Sequence, residues 1–507
     1  DEYFLGTDGT NVVWLFNEVS DTVETSGYSS DIGRVWLNDQ LVNGENVEDL
    51  FTRLDNSILR IEYTGDIPEQ LETPAEDFTR DVEIVAFTEL ENGLTFSDEN
   101  EIYFVEKLEI DMGGEVNLGD LTIDNVVGKN VTGDTNFKAL YLNSLLAKDE
   151  GGRLMPEDWI EGENRAPEEA NVVGDISSGE DQILRGVALN TGNEEEPGVA
   201  LETGRITFDS NNEDGESAEL YVIGKENVTI EQLDTSNENI TTLGIFNGLQ
   251  DDAELVITGS SAALSADNTE RVALWGEGDI QLGTFDDPDT DADESLASLS
   301  SNDMTKLNAS WLEGDLTMSY INKVNSDEFT FTSGSGVTNV TLGGEMVLNE
   351  GDINDPESDY KGWSFDLSSA IGDSKLTLTD DVDLSNAGAL DVKLGFDAVL
   401  EIVGGVDLTN LEDIDFDYDS FGLNRSALNV LENSTLTLGS EVADGLGIGG
   451  AGTVILPDLE EAPYADLSDI MTRPEDTGSV EADLDSAGDV SLSGDLGVAE
   501  ITITGDG

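Results

Sequence analysis

Residues 376–386 read Leu376-Thr-Leu-Thr-Asp-Asp-Val-Asp-Leu-Ser-Asn386, and a matching phrase, Leu400-Glu-Ile-Val-Gly-Gly-Val-Asp-Leu-Thr-Asn410, follows 24 positions later (400 − 376). Both phrases place apolar side chains at alternate positions, which is the pattern of a strand that is buried on one face. Asp380 and Gly404 occupy the same place in the two phrases, where a corner needs unusual backbone angles. The spacing suits one turn of a parallel β-helix.

Similar but looser phrases occur along most of the chain after residue 113, at irregular spacing. They are Val116–Gly119, Leu255–Gly259, Val340–Asn349, Leu436–Ser440 and Val490–Gly494. One such rung cannot bury its apolar face alone, whereas stacked rungs build a continuous core. The pattern therefore predicts an all-β chain whose main part is a β-solenoid similar to a parallel β-helix. A string of antiparallel β-sandwich domains is the alternative, because the phrases also suit generic strands.

The chain divides by texture into four predicted regions. Residues 1–112 form an N-terminal β-rich domain, residues 113–170 a joint with the first β segments, residues 171–464 the irregular solenoid or sandwich region, and residues 465–507 a C-terminal β segment. In the first region the alternation predicts strands at Asn11–Phe16, Ile58–Tyr63, Val82–Phe87 and Ile102–Met112. Apolar residues at helical spacing predict one helix at Asn46–Leu54.

The charge of the chain is extreme, with 111 acidic residues against 21 basic ones and a formal net charge of −90. Self-repulsion on this scale opposes a compact state unless salt screens the charge or bound cations neutralise it. We therefore expect saline or calcium-rich surroundings. Nucleic acid is excluded as a partner because phosphates would meet a carboxylate surface.

The chain contains no histidine and no cysteine. The absence of histidine removes the commonest general base and the Ser-His-Asp and Cys-His constellations. The absence of cysteine removes disulfides, thiolate catalysis and Cys-type metal sites. Paired acids such as Asp251-Asp252 and Asp380-Asp381 suit glycoside hydrolysis, but such pairs are inevitable among so many acids. We expect no enzymatic activity.

Two acidic stretches are candidate calcium sites, because calcium takes six to eight oxygen ligands. The first is a loop, and the second places carboxylates at alternate positions of a strand, where the alternative is simple solvation. The candidate ligands are Asp286, Asp287, Asp289, Asp291 and Asp293 in the loop, and Asp413, Asp415, Asp417 and Asp419 in the strand. The loop departs from the EF-hand pattern, with Ala292 at the position of the turn glycine and Ser298 at that of the bidentate glutamate.

Asn-x-Ser/Thr triplets are candidate sites of glycosylation. They begin at Asn130, Asn227, Asn239, Asn308, Asn339, Asn424 and Asn433. A chain this rich in Asn, Ser and Thr produces such triplets by chance as well, so their number decides nothing.

The sequence also bears on location. No run of about 20 apolar residues is present, so no transmembrane segment is expected. The sequence opens on Asp1-Glu2-Tyr3-Phe4 without an initiator Met, as a mature secreted chain would after removal of a signal peptide. We expect an extracellular or cell-surface protein.

The acidic, cysteine-free, Gly/Asp/Thr-rich texture with short β phrases resembles prokaryotic surface-layer proteins and extracellular filament or sheath subunits. That resemblance implies a self-assembling coat or fibre, typically stabilised by calcium and often glycosylated. The phrases also look like those of right-handed β-helix polysaccharide hydrolases and lyases, but the Gly-His-Gly motif of that family cannot exist without histidine. No anchoring motif is recognised, so attachment through a partner or a glycan at the cell surface is expected.

Self-assembly has a physical route through strand edges, because an exposed edge templates the addition of another strand. Candidate edges are Val12–Phe16 and the C-terminal Glu500–Thr504. Head-to-tail contacts of this kind produce open chains and sheets. A monomeric secreted adhesin or glycan-binding module is the alternative function, and a β-helix polysaccharide hydrolase or lyase is a third.

Overall fold

The structure is a computed structural model of the chain, and it consists almost entirely of strands. The residues that it describes are 2–5, 13–16, 32–37, 40–41, 57–63, 80–86, 94–96, 105–113, 117–123, 139–145, 170–178, 184–193, 197–209, 216–235, 240–259, 262–283, 297–301, 303–324, 329–342, 363–380, 382, 389–395, 398–409, 413–418, 428–457, 467, 470, 476–483 and 500–504.

The chain forms two compact units. Unit 1 comprises residues 1–260 with 277–279, and unit 2 comprises residues 261–276 with 280–507. The strands of unit 1 are β1 (Glu2–Leu5), β2 (Val13–Phe16), β3 (Ile32–Leu37), β4 (Gln40–Leu41), β5 (Ser57–Tyr63), β6 (Arg80–Ala86), β7 (Leu94–Phe96), β8 (Val105–Gly113), β9 (Leu121–Ile123), β10 (Ala139–Leu145), β11 (Asn171–Val173), β12 (Ile176–Ser178), β13 (Gly186–Thr191), β14 (Leu201–Thr207), β15 (Glu216–Gly224), β16 (Val228–Asp234), β17 (Ile240–Leu249) and β18 (Glu254–Ile257).

The strands of unit 2 are β19 (Ala262–Ser265), β20 (Arg271–Gly276), β21 (Asp279–Leu282), β22 (Ala297–Ser301), β23 (Lys306–Leu312), β24 (Leu316–Val324), β25 (Phe329–Thr332), β26 (Thr338–Leu342), β27 (Trp363–Leu367), β28 (Lys375–Leu378), β29 (Ala389–Leu394), β30 (Val399–Ile402), β31 (Gly405–Asp407), β32 (Asp413–Tyr418), β33 (Leu428–Val430), β34 (Thr435–Thr437), β35 (Ile448–Gly450), β36 (Thr453–Leu456), β37 (Ser479–Asp483) and β38 (Glu500–Thr504). One short helix, α1 (Ser440–Ala443), lies between β34 and β35.

Unit 1 contains two stacked ladders of strands. Sheet N1 has the order β17-β15-β13-β10-β8-β6-β5-β3-β4, and sheet N2 has the order β18-β16-β14-β12-β9-β7, with β11 also paired to β14. The chain alternates between the two sheets from β7 onward. Pairing is parallel from β5 onward, whereas β3 pairs antiparallel with β4 and β5, and β1 pairs antiparallel with β2.

Unit 2 repeats this arrangement with three ladders. Sheet C1 has the order β32-β29-β27-β25-β23-β20, sheet C2 the order β35-β33-β30-β28-β26-β24-β21, and sheet C3 the order β31-β34-β36-β37-β38, while β22 pairs with β19 and β24. The ladders are parallel. Each unit therefore contains a solenoid-like stack, which confirms the predicted all-β solenoid fold, and the antiparallel sandwich alternative is wrong for the described strands from β5 onward.

The repeated phrase marks successive rungs. Leu376 of β28 aligns with Leu400 of β30, and Leu378 aligns with Ile402, so the interval of 24 positions equals one step of the stack. All four side chains are at most 1% exposed, and the residues between them are half-buried. Burying such a side chain contributes about 1.5–3 kcal/mol. The alternating pattern thus fixes which face of each strand enters the core.

Rung spacing varies because segments of different length separate the aligned strands in the sequence. Val392 aligns with Phe416 at an interval of 24 positions (416 − 392), whereas Phe331 aligns with Phe365 at an interval of 34 (365 − 331). The longer interval includes residues 343–362, which lie outside the described part of the chain. The core tolerates this variation because its register depends on the strands alone.

Four aromatic side chains form a layer inside unit 2. The ring centroid of Phe329 lies 5.1 Å from that of Trp363 and 5.9 Å from that of Phe365, and Phe331 lies 6.3 Å from Phe365. None of the four is more than 2% exposed. Tilted aromatic pairs at such distances add to the energy of burial itself.

The predicted corner is confirmed at Gly404. Its φ is 75°, and a Cβ atom there would lie 2.5 Å from the Cγ atom of Asp380. The N–H of Gly404 donates to Oγ of Ser434, which ties the corner to the next rung. Only glycine suits this position, since it needs both the left-handed backbone and the missing side chain.

The predicted strands near the N-terminus are confirmed with shifted ends. They correspond to β2, β5, β6 and β8. The helix expected at residues 46–54 lies outside the described residues, as do residues 114–116, 124–138 and 146–169 of the expected joint region. Strands β5, β6 and β8 belong to the same ladder as β10, and the boundary expected at residue 112 stays a prediction.

Replacing Phe365 by Ala tests the aromatic layer. We expect a loss of about 3–5 kcal/mol in the free energy of unfolding, because the change removes a buried ring and leaves a cavity. Urea unfolding followed by tryptophan fluorescence measures it. The control is Trp311→Ala, which removes a ring that is 79% exposed and should change stability by less than about 0.5 kcal/mol. Equal losses in the two variants would contradict this account of the core.

Candidate functional surfaces

The outward faces of the ladders carry the residues available for function. Apolar side chains fill the inward positions, so alternate residues of each strand face away from the core and align with their neighbours on adjacent rungs. The result is a set of outward columns. Residues that are far apart in sequence, such as Ser364 and Asp391, become neighbours one strand spacing apart, about 4.8 Å.

The structure places the predicted calcium ligands only in part. The loop with Asp286, Asp287, Asp289, Asp291 and Asp293 lies outside the described residues, as does Asp419. Asp413, Asp415 and Asp417 occur at alternate positions of β32, as predicted. Ile414 and Phe416 between them align in backbone register with Leu390 and Val392 of β29, which are buried.

Beside β32, strand β29 provides one cation and one carboxylate. Asp391 aligns with Asp415, and Lys393 aligns with Asp417 on one side and Asp366 on the other. The Nζ atom of Lys393 lies 3.6 Å from Oδ2 of Asp391. Oγ of Ser364 donates to the same oxygen over 3.1 Å. Lys393 therefore lies beside two aspartates on the outward face of the sheet. We call these residues the Lys393 cluster (Ser364, Asp366, Asp391 and Lys393). Asp415 and Asp417 are their neighbours in backbone register on β32.

One atom of this cluster is unusual. Oδ1 of Asp391 is buried and makes no hydrogen bond, although the side chain as a whole is 34% exposed. A buried carboxylate oxygen without a partner is costly, and a bound cation is one way to satisfy it. Within the described part of the chain, however, no group of three or more acidic side chains is arranged to hold a metal ion.

The candidate glycosylation sites fall into two structural classes. Asn227 and Asn433 are exposed in turns, and Asn433 has a φ of 66°. Asn308 and Asn339 are half-buried on strands β23 and β26. Oδ1 of Asn227 accepts the N–H of Glu254, and Oδ1 of Asn308 accepts the N–H of Ser310. Exposure favours Asn227 and Asn433 as attachment points, while Asn130, Asn239 and Asn424 lie outside the described residues.

The two strands expected to present free edges have different surroundings. Strand β2 pairs with β1 in an isolated two-stranded ladder, and β38 pairs with β37 as the last strand of sheet C3. No described strand pairs with the other edge of β38.

No helix in the described part of the chain has the length and apolar content to cross a bilayer.

A tight turn in unit 1 shifts one carboxyl group. Oγ1 of Thr191 donates to the carbonyl of Glu226 over 2.9 Å and accepts the N–H of Glu226 over 3.1 Å. Although Glu226 is exposed as a residue, the packed turn removes water from part of its carboxylate. This burial raises the pKa of Glu226 above its ordinary value.

Exposed aromatic residues are the last feature of the outward faces. Tyr221 is 45% exposed, and Trp311 is 79% exposed. The ring of Tyr221 stacks on that of Phe246, with centroids 4.3 Å apart and an angle of 13° between the planes. Tyr221 and Phe246 lie 25 positions apart (246 − 221), close to the interval of the repeated phrase. Sequence analysis missed this pair, and a comparison of outward residues at that interval would have found it.

Replacing Lys393 by Gln tests the acidic cluster. We expect unit 2 to lose about 0.5–1 kcal/mol of unfolding free energy at low salt, because the aspartates that surround Lys393 then repel without compensation. At 1 M salt, where the Debye length is about 3 Å, the loss should largely disappear. Urea unfolding at the two salt concentrations measures it. Lys306→Gln is the charge-matched control, since Lys306 aligns with Arg271 and gains nothing from that neighbour. An equal loss in both variants would show that the change in net charge, and not the position of Lys393, causes the effect.

Replacing Glu226 by Gln tests the raised pKa. A folded-state pKa above the unfolded value stabilises the fold below the unfolded pKa, and this contribution disappears as the pH rises through the folded pKa. We therefore expect Glu226→Gln to raise the melting temperature at neutral pH and to have less effect near pH 4. Glu231→Gln removes the same charge from an exposed position of β16 and should raise it less. A uniform response of both variants across the pH range would contradict burial as the cause.

Comparison of the chain with protein-family models, with curated proteins and with solved structures finds no match. The function is therefore inferred from the fold and from the residues on its outward faces.

Proposed function

We propose that this protein is a self-assembling extracellular structural subunit, of a surface layer or of a filament, whose contacts are stabilised by calcium or high salt. The observation that carries the proposal is the position of β38. It ends a parallel ladder, and no described strand pairs with its second edge. An edge of this kind templates the addition of a strand from another chain.

The architecture suits a structural role. Parallel ladders present ends rather than a closed surface, and the two ends of a stack differ from each other. Contact between unlike ends is heterologous and produces open assemblies instead of closed dimers. Outward columns on the long sheets add a second kind of surface for lateral contacts.

The charge of −90 sets the condition for assembly. Two acidic surfaces repel each other unless salt screens them or cations lie between them. The Lys393 cluster supports this condition, because Nζ of Lys393 lies 3.6 Å from Oδ2 of Asp391, and the buried Oδ1 of Asp391 makes no hydrogen bond. We propose Asp391 as one calcium ligand, and its neighbour in backbone register on β32 is Asp415.

Electron microscopy of negatively stained protein tests assembly and ion together. We expect ordered fibres, tubes or sheets in millimolar calcium or in molar salt, and their loss after EGTA at low salt. Asp391→Asn should raise the calcium concentration needed for assembly, whereas Asp303→Asn, which removes the same charge from an exposed turn, should not. Discrete particles under every condition would overturn the proposal.

Proline substitutions in β38 test the edge itself. Thr502→Pro and Ile503→Pro each remove one N–H, and the neighbouring residues direct their N–H groups to opposite sides of the strand. We expect one variant to fold normally but to stop assembly, because proline is tolerated where the N–H faces a free edge and then blocks strand addition. The other variant should destabilise the pairing with β37. If both variants assembled as the parent does, β38 would not be the contact.

A further inference from the structure

One outward column of sheet N1 is an aromatic ladder with a gap. Tyr141, Ala188, Tyr221 and Phe246 occupy successive positions on β10, β13, β15 and β17. The residues that flank Ala188 on its strand, Val187 and Leu189, are buried, so Ala188 faces outward together with its neighbours in the column. Three of the four positions carry a ring, and the alanine position carries only a methyl group.

The stack shows how the rings are oriented. The rings of Tyr221 and Phe246 are 4.3 Å apart and nearly parallel, so each presents a face, not an edge, toward the adjacent rung. Gly248 makes this possible, because a Cβ atom there would lie 2.7 Å from a carbon of the Phe246 ring. Phe246 covers one face of Tyr221. The other face is directed toward the Ala188 rung, and Tyr221 remains 45% exposed.

The width of the gap selects the occupant. Tyr141 and Tyr221 lie two strand spacings apart, about 9.6 Å. A flat group between two rings needs about 7–8 Å in total, since carbon atoms in contact are about 3.5–4.0 Å apart. The excess of about 2 Å is what a puckered saturated ring fills, with its carbons on two levels and hydrogens on both faces. The spacing therefore favours a pyranose over a guanidinium group or an aromatic ring.

The surroundings of the gap provide a hydrogen-bond donor and disfavour negatively charged ligands. In the neighbouring column, Nδ2 of the half-buried Asn190 donates to Oδ1 of the buried Asn143 over 3.2 Å, while Oδ1 of Asn190 accepts the N–H of Gly192. The second hydrogen of that Nδ2 group is a donor suited to a sugar hydroxyl. A chain of net charge −90 repels uronates and sulfated sugars. The remaining candidates are uncharged sugars.

We propose that Tyr221, Ala188 and Tyr141 form a binding site for one uncharged pyranose ring of an external glycan, held with its two faces against the tyrosine rings. Aromatic faces supply the apolar contact for the ring, and the amide group of Asn190 supplies a hydrogen bond to one of its hydroxyl groups. The site lies within unit 1 and does not depend on assembly through β38.

Three variants of the full-length protein test the site. Ala188→Tyr fills the gap and completes the ladder, so binding should be lost while the melting temperature stays equal or rises. Ala188→Ser leaves the gap open and should bind as the parent does. Tyr221→Leu removes one face and should weaken binding about tenfold. Trp311→Ala removes an exposed ring from unit 2 and should leave binding unchanged.

Titration calorimetry and saturation-transfer NMR measure binding at fixed salt. The probes are neutral gluco-, manno- and N-acetylglucosamine hexasaccharides, an oligouronate of equal length and an arginine-rich peptide. We expect saturable binding of at least one neutral hexasaccharide, weaker binding of the oligouronate and sensitivity to Ala188→Tyr. The proposal is overturned if no neutral hexasaccharide binds, or if Ala188→Tyr binds as well as Ala188→Ser. It is also overturned if Trp311→Ala removes the binding, or if the arginine-rich peptide is the only probe whose binding depends on Tyr221.

Discussion

The parallel hydrogen-bonded ladder is the constraint on which the rest of this structure depends. Each rung satisfies its backbone groups by pairing with the rungs on either side, and the pairing aligns the inward side chains into columns. Leu376 and Leu400 illustrate the result, since both are completely buried and lie one step apart. A shift by one residue would turn both side chains outward, so burial and register enforce each other.

The register of the ladders also decides which outward side chains become neighbours on the surface. It brings together charges that the sequence keeps far apart, as when Asp366 and Lys393 align on neighbouring strands. With 111 acids and 21 bases, each basic residue has several carboxylates to balance, so its position matters more than in an ordinary protein. Assembly through edges and cation-dependent contacts is a consistent use of such a surface. A sugar site on an outward column is compatible with it, since coats and fibres contact polysaccharides in their surroundings.

Some features were predictable and others were not, for physical reasons. Period-2 alternation identifies strands and their buried faces, which is why β5, β6, β8 and β32 were found from sequence. Alternation does not say which strands become neighbours, because a loop of any length can join two rungs. The repeat interval of 24 positions could be recognised in the sequence between β28 and β30, where the connecting segments are short. It could not be recognised between β25 and β27, where the interval is 34 positions. The positions of the Lys393 cluster and the Tyr221–Phe246 stack follow from neighbours in space, so sequence reasoning missed them.

The sequence by itself determined the all-β class, the buried faces of the strands, the corner at Gly404, the absence of histidine and cysteine chemistry, and the net charge of −90. These follow from composition and from local periodicity, which each segment carries on its own. Only the tertiary structure decided the parallel direction of pairing, the alignment of Asp391 with Asp415, and the gap at Ala188 beside an exposed tyrosine face. Those features depend on which segments pair and in what register. Both are selected by contacts between distant segments, because the inward side chains of all the paired strands are buried together.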